Sequence, residues 1–248
     1  MKPAAVEKKT MNESRFSQNP DRARVLLAAT RDTAMKHVSQ LLDTRGLDVP
    51  VLASAMDWFV KSLVPLPEAA ACKTGCAWCC HLRVGVSIFE ALVIFHEIRT
   101  QATAEGLAFL KHRILKTSDR GDILDENFWR TSRCPCPFLD LDNTCRCLIY
   151  GLRPFSCRAF HSLDDAVCRR GYDLGIQIQV PCFPVYRASV DLYSSVLIQA
   201  AAQTGLASFQ VGFISALEIL FTDDTASERW LKGENVFLSA KIAEFTLD

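Results

Sequence analysis

The chain has 248 residues, with 28 basic side chains against 28 acidic ones, 49% hydrophobic and 23% charged residues, and 11 cysteines. That is an ordinary globular composition, long enough to bury a core without disulfides. Zero net charge and the lack of any run of five like charges exclude a strong long-range pull toward nucleic acid or an anionic bilayer, so neither is expected as a partner.

Residues 1–18 are polar and aperiodic and read as a flexible tail. Residues 19–248 read as a single mainly α domain with a cysteine-rich metal-binding core at 72–182. The opening segment has no apolar block of signal-peptide type, so a cytoplasmic protein is expected. Asn19 can cap a first helix with Pro20 at its first position. Leu27, Ala34, Val38 and Leu41 then recur at helical spacing until Gly46 supplies a stop. A second helix fits Leu52, Met56, Phe59, Val60 and Leu63, ending before Pro65 and Pro67.

Ser87 to Glu90 has capping-box spacing and opens an apolar stripe of Ile88, Ala91, Leu92, Phe95 and Ile98. A further helix is expected around Leu107–Leu115. Thr131 to Pro184 is rich in Cys, Pro, Arg and Asp and reads as loops and short turns. Helical patterning returns from about Ala188 through Leu192, Val196 and Ala200, resumes at Phe213–Leu220, and closes at Thr225–Leu231. The charge-free stretch Leu192–Leu217 is long enough to span a bilayer. Gln199, Gln203, Gln210 and Gly205 interrupt it, which suits two buried helices joined at the glycine. No βαβ alternation, phosphate loop or internal repeat is present. The fold class is therefore mainly α, with helices packed around an irregular, metal-stabilised cysteine-rich loop region.

All 11 cysteines lie between positions 72 and 182. In a reducing compartment such a set holds metal more readily than it forms disulfides, and an odd count leaves one thiol unpaired in any case. Cys72, Cys76, Cys79 and Cys80 fall within nine residues, spaced to meet on one helical face or around a tight turn at Gly75. Adjacent side chains diverge, so Cys79 and Cys80 are expected to serve different centres, or one of them a bridging position. Two Cys-x-Cys units, Cys134/Cys136 and Cys145/Cys147, can each present two sulfurs on one side of an extended backbone. Cys157, Cys168 and Cys182 complete the set. Thiolate is soft, loses its proton on coordination, and holds zinc or iron–sulfur iron more tightly than carboxylate does.

Taken in order, Cys-x3-Cys-x2-Cys-Cys, Ser-x-x-Glu, Cys-Pro-Phe-Leu, Cys-x-Ile-Tyr and Arg-Pro-x-x-Cys-Arg over about residues 72–170 resemble the YkgJ-type cysteine-cluster proteins. These are described as zinc- or iron-chelating and sometimes as Fe–S oxidoreductases. The segment Phe160-His161-Ser162-Leu163 is similar to longer members. The resemblance implies Cys72, Cys76, Cys79, Cys80, Cys136, Cys147, Cys157 and Cys168 as the metal-site cysteines and leaves Cys134, Cys145 and Cys182 over. It implies an iron–sulfur cluster or iron as cofactor, with zinc as the alternative.

Three functions follow as expectations: a redox or enzymatic iron centre acting on an unknown substrate, a structural zinc module binding a protein partner, or a component of a modification system resembling flagellin lysine methylation. The last would be linked to S-adenosylmethionine. Cys72, Cys76 and Cys79 also match the spacing of radical S-adenosylmethionine enzymes, but the strands and helices those enzymes alternate around the cluster are absent from the pattern. The partner, a protein or a small molecule, is not identified by any motif. His81 and His161 read as structural or as hydrogen-bond partners of sulfur. Arg153 and Arg158, inside the motifs, are expected to offset thiolate charge, and Glu90 to act as a cap.

Overall fold

The computed structural model describes residues 20–141 and 144–242; the expected tail and the Asn19 cap lie outside them. Helix α1 spans Pro20–Arg45 and stops at Gly46, whose φ of 80° is open to glycine at no steric cost. Helix α2, Val49–Ser62, starts on an Asp48 side chain that accepts the Val51 N–H at 2.7 Å, and ends before the prolines. A 3-10 turn, Trp78–His81, follows the first cysteines. Strand β1, Gly85–Ser87, then leads directly into helix α3, Ile88–Gln101.

The capping box expected at α3 is complete: Ser87 Oγ accepts the Glu90 N–H, and Glu90 accepts the Ser87 N–H. The helix is not a half-exposed amphipath, however. Every residue from Ile88 to Phe95 is buried, because other helices cover it on all sides. Helix α4 runs Ala104–Ser118 and α5 Glu126–Ser132.

Within the stretch expected to be loops, α6 (Phe155–Ala159) and α7 (Asp165–Leu174) both form. Helix α7 fully buries only Gly171, yet Val167, Cys168, Gly171 and Tyr172 lie on one helical face, a stripe two turns long. Its ends were readable as well. Asp164 accepts the Ala166 N–H at 2.9 Å, and Gly175 terminates the helix at φ 66°. Helix α8, Pro184–Gln203, begins four residues earlier than the apolar pattern suggested, with Pro184 at its first turn.

The turn at Gly205 separates α8 from strand β2, Gln210–Gly212, which continues as α9, Phe213–Thr222. Helix α10, Ala226–Leu231, follows. The strands pair antiparallel, Gly85 with Gly212, Val86 with Val211 and Ser87 with Gln210, so α3 and α9 both spring from one two-stranded ribbon. Three-residue strands carry too little alternation to be seen in sequence.

Helix α3 is the centre. Helices α2, α8 and α9 pack on it; α1 lies against α2 and α8, and α4 against α9. Phe59, Phe155 and Tyr193 join three of these elements through ring contacts of 4.6–6.1 Å. No helix among the described residues is long and apolar enough to cross a membrane. The N-terminal end of α3 meets the cysteine-bearing part of the chain through Glu90, which accepts the Phe155 N–H at the start of α6.

Candidate metal centre

The cysteines arrive on four separate pieces of chain. Cys72 and Cys76 sit in a loop turned by Gly75 at φ 89°, where the Cys76 N–H bonds to the Lys73 carbonyl. Cys79 and Cys80 ride the 3-10 turn. Cys136 and Cys147 stand on two facing arms held by an antiparallel bridge between Leu139 and Cys147 and by the Leu148 N–H bond to the Phe138 carbonyl. Cys157 and Cys168 are carried by α6 and α7.

Backbone bonds stitch these pieces together. The Cys136 N–H donates to the Cys80 carbonyl at 2.7 Å, and the Ala71 N–H to the Ser162 carbonyl at 2.8 Å. The Ser162 N–H in turn donates to Cys72 Sγ at 3.3 Å.

Electrostatic coupling sorts the thiols into two groups. Burial raises the pKa of Cys72, Cys76 and Cys168, and the negative charge that each other thiolate or Cys79 would carry raises it further. Burial likewise pushes Cys136, Cys147 and Cys157 up, and these three also act on one another. Cys79 belongs to both groups. Its own pKa is raised by a hydrogen bond with Cys80 and then by burial, and its charge raises Cys147 and Cys157 as well as Cys72 and Cys168. Arg153 opposes this, favouring the thiolate at Cys72, Cys79, Cys147 and Cys157.

At Cys76, Cys136 and Cys147 the backbone groups of Trp78, Phe138 and Ile149 partly offset the burial by favouring the thiolate. An N–H aimed at sulfur stabilises the anion and is one of the means by which a protein tunes bound metal.

The remaining thiols stand differently. Cys134 is fully buried in the apolar core, with Arg120 beside it. Cys145 is exposed, with a left-handed backbone at φ 50°. Cys182 lines a second cavity near Cys79 and Cys168. All eleven thiols are free. His161 is not available to a metal: its Nδ1 faces the Ala159 carbonyl at 2.8 Å, and its Nε2 accepts the Phe183 N–H at 2.8 Å. His81 places Nδ1 3.1 Å from the Ala77 carbonyl. Arg158 donates to the Arg153 and Gly151 carbonyls, bracing the turn that positions Arg153, and also lines the cavity that holds the cysteines.

Cys72, Cys76, Cys79, Cys80, Cys136, Cys147 and Cys157 line one cavity of about 1040 Å³, as does Cys145, while Cys168 lines a neighbouring cavity that shares Cys79 with it. Among the described residues, no three Cys, His, Asp or Glu side chains converge closely enough to hold a metal ion as they stand. The donor set fits a soft cation in kind, being all thiol with N–H donors behind the sulfur. Coordination at about 2.3 Å requires the bearing loops to close around the ion.

Sequence reasoning treated Glu90 as a cap alone. It is completely buried and bridges three elements: Oε1 accepts the Phe155 N–H at 2.9 Å, and Oε2 accepts the Ser87 N–H and Oγ and the Ser194 Oγ. It thereby anchors the first residue of α6, two positions before Cys157. The Ser-x-x-Glu spacing could signal the cap, but not contacts 65 and 104 residues away.

No curated protein and no solved structure matches the chain. Residues 71–173 match a family model, CxxCxxCC, described as "Putative zinc- or iron-chelating domain". The match takes in all eight cysteines that the motifs singled out and ends before Cys182. Residues 71–173 are thus similar to this cysteine-cluster domain, in agreement with the motifs read in the sequence.

Proposed function

We propose that the two thiol groups hold an iron–sulfur or iron centre with a redox role, Cys72, Cys76, Cys79 and Cys168 on one side and Cys80, Cys136, Cys147 and Cys157 on the other. The observation that carries this is the convergence of seven of these eight cysteines on one cavity, with the Arg153 charge beside four of the thiols. The cavity of about 1040 Å³ lined by these cysteines is larger than a single ion fills, which supports a centre of more than one metal.

Bound there, the centre would supply one-electron transfer. The chain's own residues do the rest. Arg153, stacked 3.8 Å over the Tyr150 ring, keeps a fixed positive charge beside four of the thiols and offsets the anionic charge of a thiolate-bound metal. The Ser162 N–H steadies Cys72.

Anaerobic purification followed by elemental analysis, acid-labile sulfide determination and visible absorption tests the proposal. Iron with a visible band bleached by dithionite is the expected result. Zinc alone in colourless protein would replace it with a structural-zinc reading, and protein without either metal would overturn chelation altogether.

A further inference from the structure

A second cavity, of about 590 Å³, adjoins the first and shares Cys79, Leu82, Glu126, Phe160 and Arg187 with it; its volume is within the size range of small-molecule sites. Its lining differs in kind. Trp78 and Tyr172 meet at 5.3 Å between centroids with 48° between planes, and His81 meets the Tyr172 edge at 4.7 Å, so aromatic rings from the 3-10 turn and from α7 form one angled wall. Ile178 and Val180, on the irregular segment after Gly175, form another. A slot with π faces on one side and aliphatic groups on the other accepts a flat ring.

The charges select its sign. Arg83 and Arg130, each side chain only 14% exposed, share the single carboxylate of Glu126, Arg130 at 2.7 Å and Arg83 at 3.4 Å. One guanidinium charge is left over in the wall where Glu126 and Arg130 meet the cavity. Arg187 also borders the cavity, 3.8 Å from Asp191, which offsets its charge. A cationic ligand has less to gain at two of the rings, since Arg133 lies 5.5 Å over Tyr172 and Arg187 5.4 Å over Phe160, each on one face, while Trp78 carries no such cation.

We propose that this cavity is a binding site for a planar aromatic anion, the ring against Trp78 and Tyr172 and the carboxylate or phosphate toward Arg130 and Arg187. The ligand would lie against the wall formed by Cys79 and Cys168, next to the proposed metal centre but held by groups that take no part in it.

Calorimetry and tryptophan fluorescence on the full chain, with 2-naphthoate, 2-naphthalenemethanol and (2-naphthylmethyl)trimethylammonium, test both parts. Naphthoate is expected to bind saturably and about tenfold more tightly than the neutral and cationic probes. Trp78→Ala should weaken it about tenfold while Trp78→Phe retains it. Arg187→Gln should reduce the preference for the anion. If Trp78→Ala has an altered circular dichroism spectrum, Tyr172→Leu takes its place. The proposal is overturned by no saturable naphthoate binding up to about 5 mM, by equal or tighter binding of the cation, or by full affinity in a folded variant lacking the Trp78 or Tyr172 ring. Run on samples of equal metal content, as isolated and after metal removal, these readouts report the ligand site and the metal analysis reports the centre, so the two results stand or fall separately.

Discussion

Replacing Glu90 with Ala removes the acceptor for four donors at once, in a place water does not reach. The two hydroxyls, on Ser87 and Ser194, can rotate toward other acceptors. The Ser87 and Phe155 N–H groups are fixed by the backbone, and leaving each unsatisfied costs about 1–3 kcal/mol. Taken at the middle of that range, the two come to about 4 kcal/mol. In a protein of this size that lowers Tm by roughly 8–16 °C.

Glu90→Gln should lose about half as much, and in a particular place. Its oxygen satisfies the three donors at the Oε2 position, which turns its NH2 toward the Phe155 N–H, donor against donor. Hydrogen exchange should therefore quicken at α6, around Cys157, before it quickens elsewhere. Scanning calorimetry and hydrogen-exchange mass spectrometry on samples of equal metal content measure both effects. Glu90→Ala melting within about 2 °C of the parent would refute the reasoning, because it would mean the buried donors find other partners.

Cys79→Ser, which removes the thiol common to both groups, should cost more bound metal by mass spectrometry than any other single cysteine change, whereas exposed Cys145→Ser should leave metal content unchanged. Because burial holds the site thiols protonated at neutral pH, metal binding must release protons. Metal affinity should rise with pH between 6 and 8, and calorimetry in buffers of different ionisation enthalpy should show proton release. Asp191, pushed up to about 6 by burial against the pull of Arg187, should lower stability as pH rises through 6, since its unfolded pKa lies below that value. Its side chain is 47% exposed, so Asp191→Asn should gain only about 1 kcal/mol at pH 8 and nothing at pH 4, as read from urea melts. Asp164→Ala should cost about 1 kcal/mol by fraying the start of α7, and should weaken retention of metal at Cys168.

The amino-acid sequence by itself determined the helical body and the gathering of cysteine. Periodicity and end signals are local, so Pro20 and Gly46, Asp48, the Ser87–Glu90 box and the prolines after α2 are legible from a few neighbouring residues. Ordered motifs likewise set eight thiols apart from Cys134, Cys145 and Cys182. Helix α7 escaped notice because its apolar stripe, Val167, Cys168, Gly171 and Tyr172, is only two turns long and sits among cysteines and arginines, although its Asp164 and Gly175 ends were written plainly.

Only the tertiary structure decided which thiols act on one another, and that Cys79 faces both groups, since four chain segments must first be docked. It alone decided that Glu90 reaches Phe155 and Ser194, that His161 is consumed by backbone bonds, and that Trp78 and Tyr172 form one wall. The reason is physical: a cap or a turn is set by bonds within one stretch of chain, whereas a site is set by which stretches the burial of α3 brings side by side.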